Sequence, residues 1–205
     1  MFKKGRKAGG KRMSALDTLK GDIDPLTKRI VFTGILTAEL EKEGFSPVAA
    51  GNYAVELYTS GGYKGGSVDV VAPIELIDKV LTQLDFKKGN GSWSNEDVDI
   101  AVNVLAEDLE EHQLERVNQI DIDGLAAYLL GVEDVILSKL KDFSQGGESN
   151  AIIWVQELME IHVNEIDLDY LKDHAAQEGV MGALQELIDE LRLEEEEYLG
   201  RVPQP

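Results

Sequence analysis

Cysteine is absent from the 205-residue sequence, and histidine occurs only three times. Without thiols the protein has no disulfide framework, no thiolate metal centre and no cysteine nucleophile. His112, His162 and His174 are scattered and show none of the close spacings that are typical of zinc enzymes. These absences exclude thiol redox chemistry and argue against a zinc enzyme.

Long apolar runs are absent as well. No stretch approaches the roughly 18 consecutive apolar residues that a membrane-spanning helix needs. The basic start of the chain is not followed by an apolar signal core. The sequence therefore predicts a cytoplasmic protein without a membrane partner.

Basic side chains are scarce beyond the first 30 residues. The chain has 39 acidic and 20 basic residues, a formal net charge of -19, and residues 1–30 hold nine of the basic ones. An acidic surface repels phosphate backbones, which argues against duplex nucleic acid as a partner except through the basic N-terminus.

The N-terminus is rich in lysine, arginine and glycine. Six basic residues and three glycines within residues 1–12 do not supply a core, and we predict a flexible arm over residues 1–25. Two roles stay open for this arm, a solvated tail and a weak contact with an anionic surface.

The rest of the chain divides into two regions by its hydrophobic periodicity and its glycine and proline positions. The first region predicts helices over 26–43, 53–58 and 73–84, strands over 45–50, 67–71, 97–104 and 117–122, and a hairpin over 86–93. The second region predicts helices over 124–130, 132–143, 150–162, 167–177 and 180–198. We therefore expect an α/β (α+β) domain over 26–122 and a helical region over 123–200 packed on it.

Polar side chains share one face on each of two predicted strands. Ser67 and Asp69 share a face on the first strand, and Asp99 and Asn103 share a face on the second. Converging carboxylates suit Mg²⁺ that is held together with nucleotide phosphates. Spacing alone leaves open both a metal site and an ordinary half-exposed polar face.

Gly51-Asn52 precedes a predicted helix and also has two interpretations. Glycine allows a phosphate to approach the backbone N–H groups at a helix N-terminus, and glycine also simply makes turns.

Several separate segments, taken in order, resemble a known family. They are the first helix, the strand that ends in Gly51-Asn52-Tyr53-Ala54-Val55-Glu56-Leu57-Tyr58, the turn with Gly62-Tyr63-Lys64, the strand Ser67-Val68-Asp69-Val70-Val71, the segment Val132-Glu133-Asp134-Val135-Ile136-Leu137 with Lys139, and Ile166 to Leu171. Over residues 30–190 this order resembles the nucleotidyltransferase superfamily, and in particular the small prokaryotic proteins related to minimal nucleotidyltransferases.

The resemblance implies transfer of a nucleoside monophosphate from an NTP, with three carboxylates that hold Mg²⁺. Aligned on the family pattern, Asn52 replaces the second glycine of the turn, and Ser67 and Asn103 replace two of the three carboxylates. Asp69 remains as the predicted catalytic residue and metal ligand. Asn103 and Asp99 are the further candidate metal ligands, with Asp99 about 13 Å from Asn103 along the strand.

The predicted nucleotide-binding residues are Gly51, Asn52, Lys64, Ser67 and Lys139. The favoured function is a nucleotidyltransferase-fold protein with a degenerate metal site that binds a nucleotide or a protein partner, with weak or no catalysis. Two alternatives stay open. One is an active Mg²⁺-dependent nucleotidyltransferase acting on RNA, protein or a small molecule, and the other is a regulatory member of a two-protein system. The oligomeric state is open.

Overall fold

The computed structural model describes residues 15–147 and 150–201. Residues 1–14 of the predicted arm lie outside the described residues. Within residues 15–25 the prediction of a flexible arm differs from the structure, because Ala15–Leu19 forms a 3₁₀ turn. Leu16 and Leu19 of this turn are buried in the core. Two leucines spaced three residues apart share one side of such a turn, and this spacing fixes residues 15–19 to the domain.

Eight helices and seven strands follow the 3₁₀ turn within the described residues. The helices are α1 Pro25–Glu41, α2 Gly51–Tyr58, α3 Ile74–Gln83, α4 Glu111–Leu114, α5 Val132–Ser144, α6 Ala151–Ile161, α7 Leu168–Gln177 and α8 Met181–Arg201. The strands are β1 Val48–Ala49, β2 Val68–Val71, β3 Lys87–Gly89, β4 Ser92–Asn95, β5 Ile100–Ala106, β6 Asn118–Ile122 and β7 Leu125–Leu129. None of the helices in this part of the chain is long and apolar enough to cross a membrane.

All seven strands form one mixed sheet in the order β3-β4-β5-β2-β1-β7-β6. The central strands β2 and β5 are parallel, β1 runs antiparallel to β2, and β7 runs parallel to β1. Helices α5 to α8 form the C-terminal helical region. The predicted mixed α/β class with a helical tail is confirmed.

The segment 124–130 is a strand, so the predicted helix there is wrong. Asp123 and Gly124 both have positive φ, at 51° and 85°, and they make the two-residue turn between β6 and β7. Such a turn is the usual connection of a β-hairpin, and it outweighs the helical preference of the alanines and leucines in β7. The helical region therefore begins at Val132 and not at residue 123.

The predicted strand 97–104 begins later than expected. Residues 96–99 form the turn between β4 and β5, in which Asp99 has a φ of 53°. Asp97 and Asp99 are exposed in this turn, and the alternation that places them on the face of Asn103 is interrupted.

A buried ion pair fixes α2 to α1. Arg29 donates from Nε to one oxygen of Glu56 at 3.2 Å and from Nη2 to the other. Both side chains are buried, and beside them the hydroxyls of Thr33 and Tyr53 lie 2.9 Å apart. A two-point contact of this kind sets the orientation of both side chains. It therefore positions α2, whose first residue is Gly51.

We predict that Arg29→Met lowers the free energy of unfolding by about 3 kcal/mol, because Glu56 is left as a buried, unpaired charge. Urea unfolding measures the loss. The double variant Arg29→Met/Glu56→Leu is the control, and it recovers most of the stability because both charges are gone. A loss below about 1 kcal/mol in the single variant contradicts a buried ion pair.

A second polar cluster connects the helical region to the sheet. Arg116 lies just before β6 and donates to Glu133 of α5 at 2.8 Å, and Glu133 also accepts from the backbone N–H of Asp167 at 2.9 Å. The Tyr170 hydroxyl donates to Asp134 at 2.7 Å, and the Arg116 guanidinium lies 4.1 Å from the centre of the Tyr170 ring. These contacts fix the start of α5 against α7.

Burial raises the pKa of the Asp134 carboxyl above its usual range, and the hydrogen bond from Tyr170 opposes this only in part. A raised carboxyl pKa means that the folded state holds the proton more tightly than the unfolded state does. The contribution of this proton binding to the stability of the folded state is complete below the usual carboxyl pKa, and it is lost as pH rises through the raised pKa of Asp134.

We predict that Asp134→Asn, which keeps an acceptor for Tyr170, becomes more stable relative to the wild type as pH rises from 4 to 8. Thermal unfolding across that range checks this, and a difference that is constant with pH contradicts it.

Candidate functional site

Asp69 lies in the middle of the sheet, on β2. Its partner in the parallel register with β5 is Asn103, and Ser67 immediately precedes β2. The Asp69 side chain is buried, with 6% of the residue exposed. Parallel pairing of two central strands thus brings together three polar residues that are up to 36 positions apart in sequence.

The three side chains form a closed hydrogen-bond network. The Ser67 hydroxyl donates to Oδ1 of Asp69 at 2.7 Å, and the Asn103 amide donates to the same oxygen at 2.8 Å. The Asn103 amide also lies 3.0 Å from the Ser67 hydroxyl oxygen. Two donors on one carboxylate oxygen stabilise its negative charge, as charge-assisted hydrogen bonds do. The buried charge of Asp69 is therefore satisfied by neutral groups.

Gly51 lies directly over Asp69. Its φ is 58°, and a Cβ built on it would lie 3.5 Å from Oδ2 of Asp69. The preceding residue, Ala50, donates its N–H to the Asp69 carbonyl at 3.0 Å and provides no side-chain cap for α2. The first N–H groups of a helix have no partner within that helix. The N–H groups at this end of α2 therefore receive no side-chain acceptor from Ala50.

Lys139 approaches the same helix end from α5. Its ammonium donates to Oδ1 of Asn52 and forms an ion pair with Asp142 at 3.1 Å. Only 4% of Lys139 is exposed. A buried ammonium group is thus held next to the first turn of α2.

The structure brings most of the predicted site residues together. Gly51, Ser67, Asp69 and Asn103 are in contact or hydrogen-bonded, and Asn52 and Lys139 adjoin them through α2. Lys64 is exposed in the loop that leads to Ser67. Asp99 is not brought to the site, because it lies in the turn before β5, whereas Asn103 lies four residues further along.

Two neighbours of the site were not predicted. Leu105 follows Asn103 on the same face of β5 and is 53% exposed. Its Cδ1 atom would lie 2.6 Å from a Cβ atom added to Gly51. Asp142 pairs with Lys139 at a spacing of three residues on α5. The sequence alone shows that Leu105 lies two residues after Asn103 on a strand and that Asp142 lies three residues after Lys139 on a helix. It does not show that Leu105 approaches Gly51, because that contact depends on the tertiary fold.

The donor set around Asp69 does not fit a two-metal centre. It offers one carboxylate, one alcohol and one amide, and the alcohol and the amide are already donors to that carboxylate. Mg²⁺ sites in such enzymes rely on carboxylate ligands. Within residues 15–147 and 150–201, no three histidine, aspartate or glutamate side chains are placed to hold a metal ion.

The sheet, the glycine turn and the helical tail together define a nucleotidyltransferase-like protein. The family model described as "Nucleotidyltransferase of unknown function (DUF6036)" matches residues 62–199, which is more than half of the chain. The chain therefore belongs to this family. The matched range includes Ser67, Asp69, Asn103 and Lys139 and leaves Gly51 and Asn52 outside.

Two solved structures share the fold. One is an antigenic nucleotidyltransferase-like protein from Paracoccidioides brasiliensis, with a TM-score of 0.55 and 14% identity over 80% of this chain and 88% of that one. The other is the antibiotic-resistance factor ANT(2'')-Ia, with a TM-score of 0.50 and 12% identity over 83% of this chain and 98% of that one. No curated protein matches the sequence.

We predict that Gly51→Ala lowers the free energy of unfolding by about 1 kcal/mol or slightly more, because alanine is strained at this positive φ. The end of the half-exposed Leu105 side chain can rotate away from the new methyl group, so Leu105→Ala should not rescue the variant. Urea unfolding of both single variants and the double variant measures the coupling.

Gly66→Ala is the matched control for that substitution. Gly66 lies one residue before Ser67, has no positive φ, and has open space around its missing Cβ. We expect this variant to keep the stability of the wild type. An equal loss in both glycine variants contradicts a specific requirement for glycine at position 51.

Proposed function

We propose that this protein binds a nucleoside triphosphate at the N-terminal end of α2 and does not use the two-metal transfer reaction. The observation that carries the proposal is the hydrogen-bonded set of Ser67, Asp69 and Asn103, in which neutral donors occupy the positions of two expected carboxylates. In this proposal α2 and Lys139 bind the phosphates, and Asp69 is the single carboxylate of the set that could attract a dication.

Three features support phosphate binding at this position. The N–H groups of the first turn of α2 are free of a side-chain cap, and a helix N-terminus attracts anions. The buried ammonium of Lys139, which pairs with Asp142, donates to Asn52 and so places a cation beside this turn. Lys64 is exposed in the loop that ends at Ser67, and we propose it as a second cation for the phosphates.

Local positive charge is essential in this chain because its net charge is -19. The general field of the protein repels a triphosphate, and the repulsion weakens with added salt. Binding therefore depends on the few cationic groups that touch the ligand. In this proposal Lys139 provides the charge that a metal ion provides in an active nucleotidyltransferase.

We predict that NTPs raise the thermal unfolding midpoint in the presence of EDTA, by roughly 5 °C or more at 100 times the Kd. Lys139→Met should abolish most of the shift. Lys141→Met is the matched control, because Lys141 is on the same helix but pairs with Glu178 at 3.0 Å and is half-exposed.

Asp69→Asn distinguishes metal-free binding from metal-dependent catalysis. Asparagine still accepts from Ser67 and Asn103, and it removes a negative charge that repels phosphate. We expect the NTP shift in EDTA to persist or to increase in this variant. A shift that requires Mg²⁺ and disappears in Asp69→Asn supports an active enzyme instead, and no shift with any NTP contradicts nucleotide binding.

The double variant Ser67→Asp/Asn103→Glu tests the proposal that Ser67 and Asn103 occupy the positions of two metal-binding carboxylates. Three carboxylates repel one another without a cation, so we predict a lower unfolding midpoint in EDTA and a rise on addition of Mg²⁺. The wild type should not respond to Mg²⁺ alone. Ser94→Asp, which adds a charge at an exposed position of β4, is the control and should show no Mg²⁺ response. A double variant without a Mg²⁺ response contradicts the assignment of these positions.

A further inference from the structure

The ammonium group of Lys139 contacts acceptors on two different helices. It donates to Oδ1 of Asn52 on α2, and it lies 3.1 Å from Oδ2 of Asp142, three residues further along α5. Side chains three residues apart are neighbours on the surface of a helix, so this ion pair forms within α5 itself. The same cation therefore links the first turn of α2 to a carboxylate of its own helix.

The two members of this ion pair differ in their exposure to water. The Lys139 side chain is 5% exposed, whereas the Asp142 side chain is 49% exposed. A buried ammonium is stabilised by a negative neighbour, because burial disfavours its charge. A half-exposed carboxylate is hydrated with or without the ion pair. Asp142 can therefore leave at little cost, provided that another anion takes its place beside Lys139.

A polar cavity beside Asp142 offers room for the displaced carboxylate. Its volume is about 220 Å³, and Asp142 lines it together with Ser138, Lys141 and Gln145 of the same helix and its C-terminal cap. A polar cavity of this size has room for several water molecules. The Asp142 carboxylate can therefore rotate away from Lys139 and remain hydrated.

We infer that Asp142 competes with the phosphates of the ligand for the Lys139 ammonium, so that nucleotide binding replaces the Lys139–Asp142 ion pair. This inference rests on the function proposed above. A triphosphate carries several negative charges against the single charge of Asp142, so the exchange favours the ligand at low ionic strength. While Asp142 holds the cation, it lowers the affinity of the site for nucleotide.

The exchange also affects the end of α5. The N–H of Gly147 donates to the carbonyl oxygen of Asp142 at 2.8 Å, and a Cβ added to Gly147 would lie 2.7 Å from the same oxygen. The turn after α5 therefore packs directly on the backbone of Asp142. A movement of the Asp142 side chain thus changes the surroundings of the Gly146 and Gly147 amides, which report the exchange.

Asp142→Asn tests the competition, because asparagine keeps the shape of the side chain and removes its charge. The probes are ATP and inorganic triphosphate, titrated into the full chain in EDTA at constant ionic strength and followed by calorimetry. We expect the variant to bind both probes at least threefold more tightly than the wild type, and the gain to shrink at high salt. Asp173→Asn removes the same charge from an exposed position of α7 and should leave the affinity unchanged.

The Lys139→Met background shows whether Asp142 acts through Lys139. Without the ammonium there is no cation for which Asp142 competes, so we expect Lys139→Met/Asp142→Asn to bind no better than Lys139→Met. An equal gain from Asp142→Asn with and without Lys139, or an equal gain in Asp173→Asn, shows a general effect of negative charge and overturns the inference.

The remaining outcomes separate this inference from the proposed function. If the wild type binds ATP and Asp142→Asn binds it equally or more weakly, the competition is overturned and nucleotide binding is not. If neither protein responds to ATP or triphosphate, nucleotide binding is overturned and the competition with it. We also expect saturating ATP to shift the two-dimensional NMR signals of Gly146 and Gly147 in the ¹⁵N-labelled wild type, and unchanged signals overturn the exchange.

Discussion

The candidate site depends on the need to stabilise one buried carboxylate. Asp69 lies on a central strand, where the solvation of its charge must be replaced by protein groups. Parallel pairing of β2 with β5 brings the Asn103 amide to it, and the bend before β2 brings the Ser67 hydroxyl. The positions of these two donors follow from this requirement.

The same requirement accounts for the neutral hydrogen-bond donors that surround Asp69. Three acidic side chains at this distance need a cation to coexist in the fold. One acidic side chain with two neutral donors is stable without a cation. The hydrogen-bonded set of Ser67, Asp69 and Asn103 thus stabilises the buried carboxylate through neutral groups. The fold alone does not establish an activity, because one fold hosts many functions.

Much of the fold was predictable from the sequence, since helices α1, α3, α5, α6 and α7 follow a clear helical period and β2 is a short β-branched run. The failures have local physical causes. The composition of β7 favours a helix, and only the Asp123-Gly124 turn and pairing with β1 make it a strand. Asp99 follows the alternation of β5 in sequence, but its positive φ places it in a turn.

The site was predictable in part for similar reasons. Ser67, Asp69 and Asn103 could be related through the family resemblance, and strand pairing confirms that they are neighbours. The contact of Lys139 with Asn52 and of Leu105 with Gly51 joins elements that are far apart along the chain. The periodicity of a sequence shows on which face of a helix or strand a residue lies. It does not show which other helix or strand that residue contacts.

The pairing of β1 with β7 also has a consequence for the order in which the chain is made. β1 is two residues long and lies between β2, which follows about twenty residues later, and β7, which follows about eighty residues later. Until β7 emerges from the ribosome, one edge of the central sheet stays unpaired, and such edges are sites of aggregation. The chain must therefore be synthesised past residue 129 before β1 is paired on both of its edges.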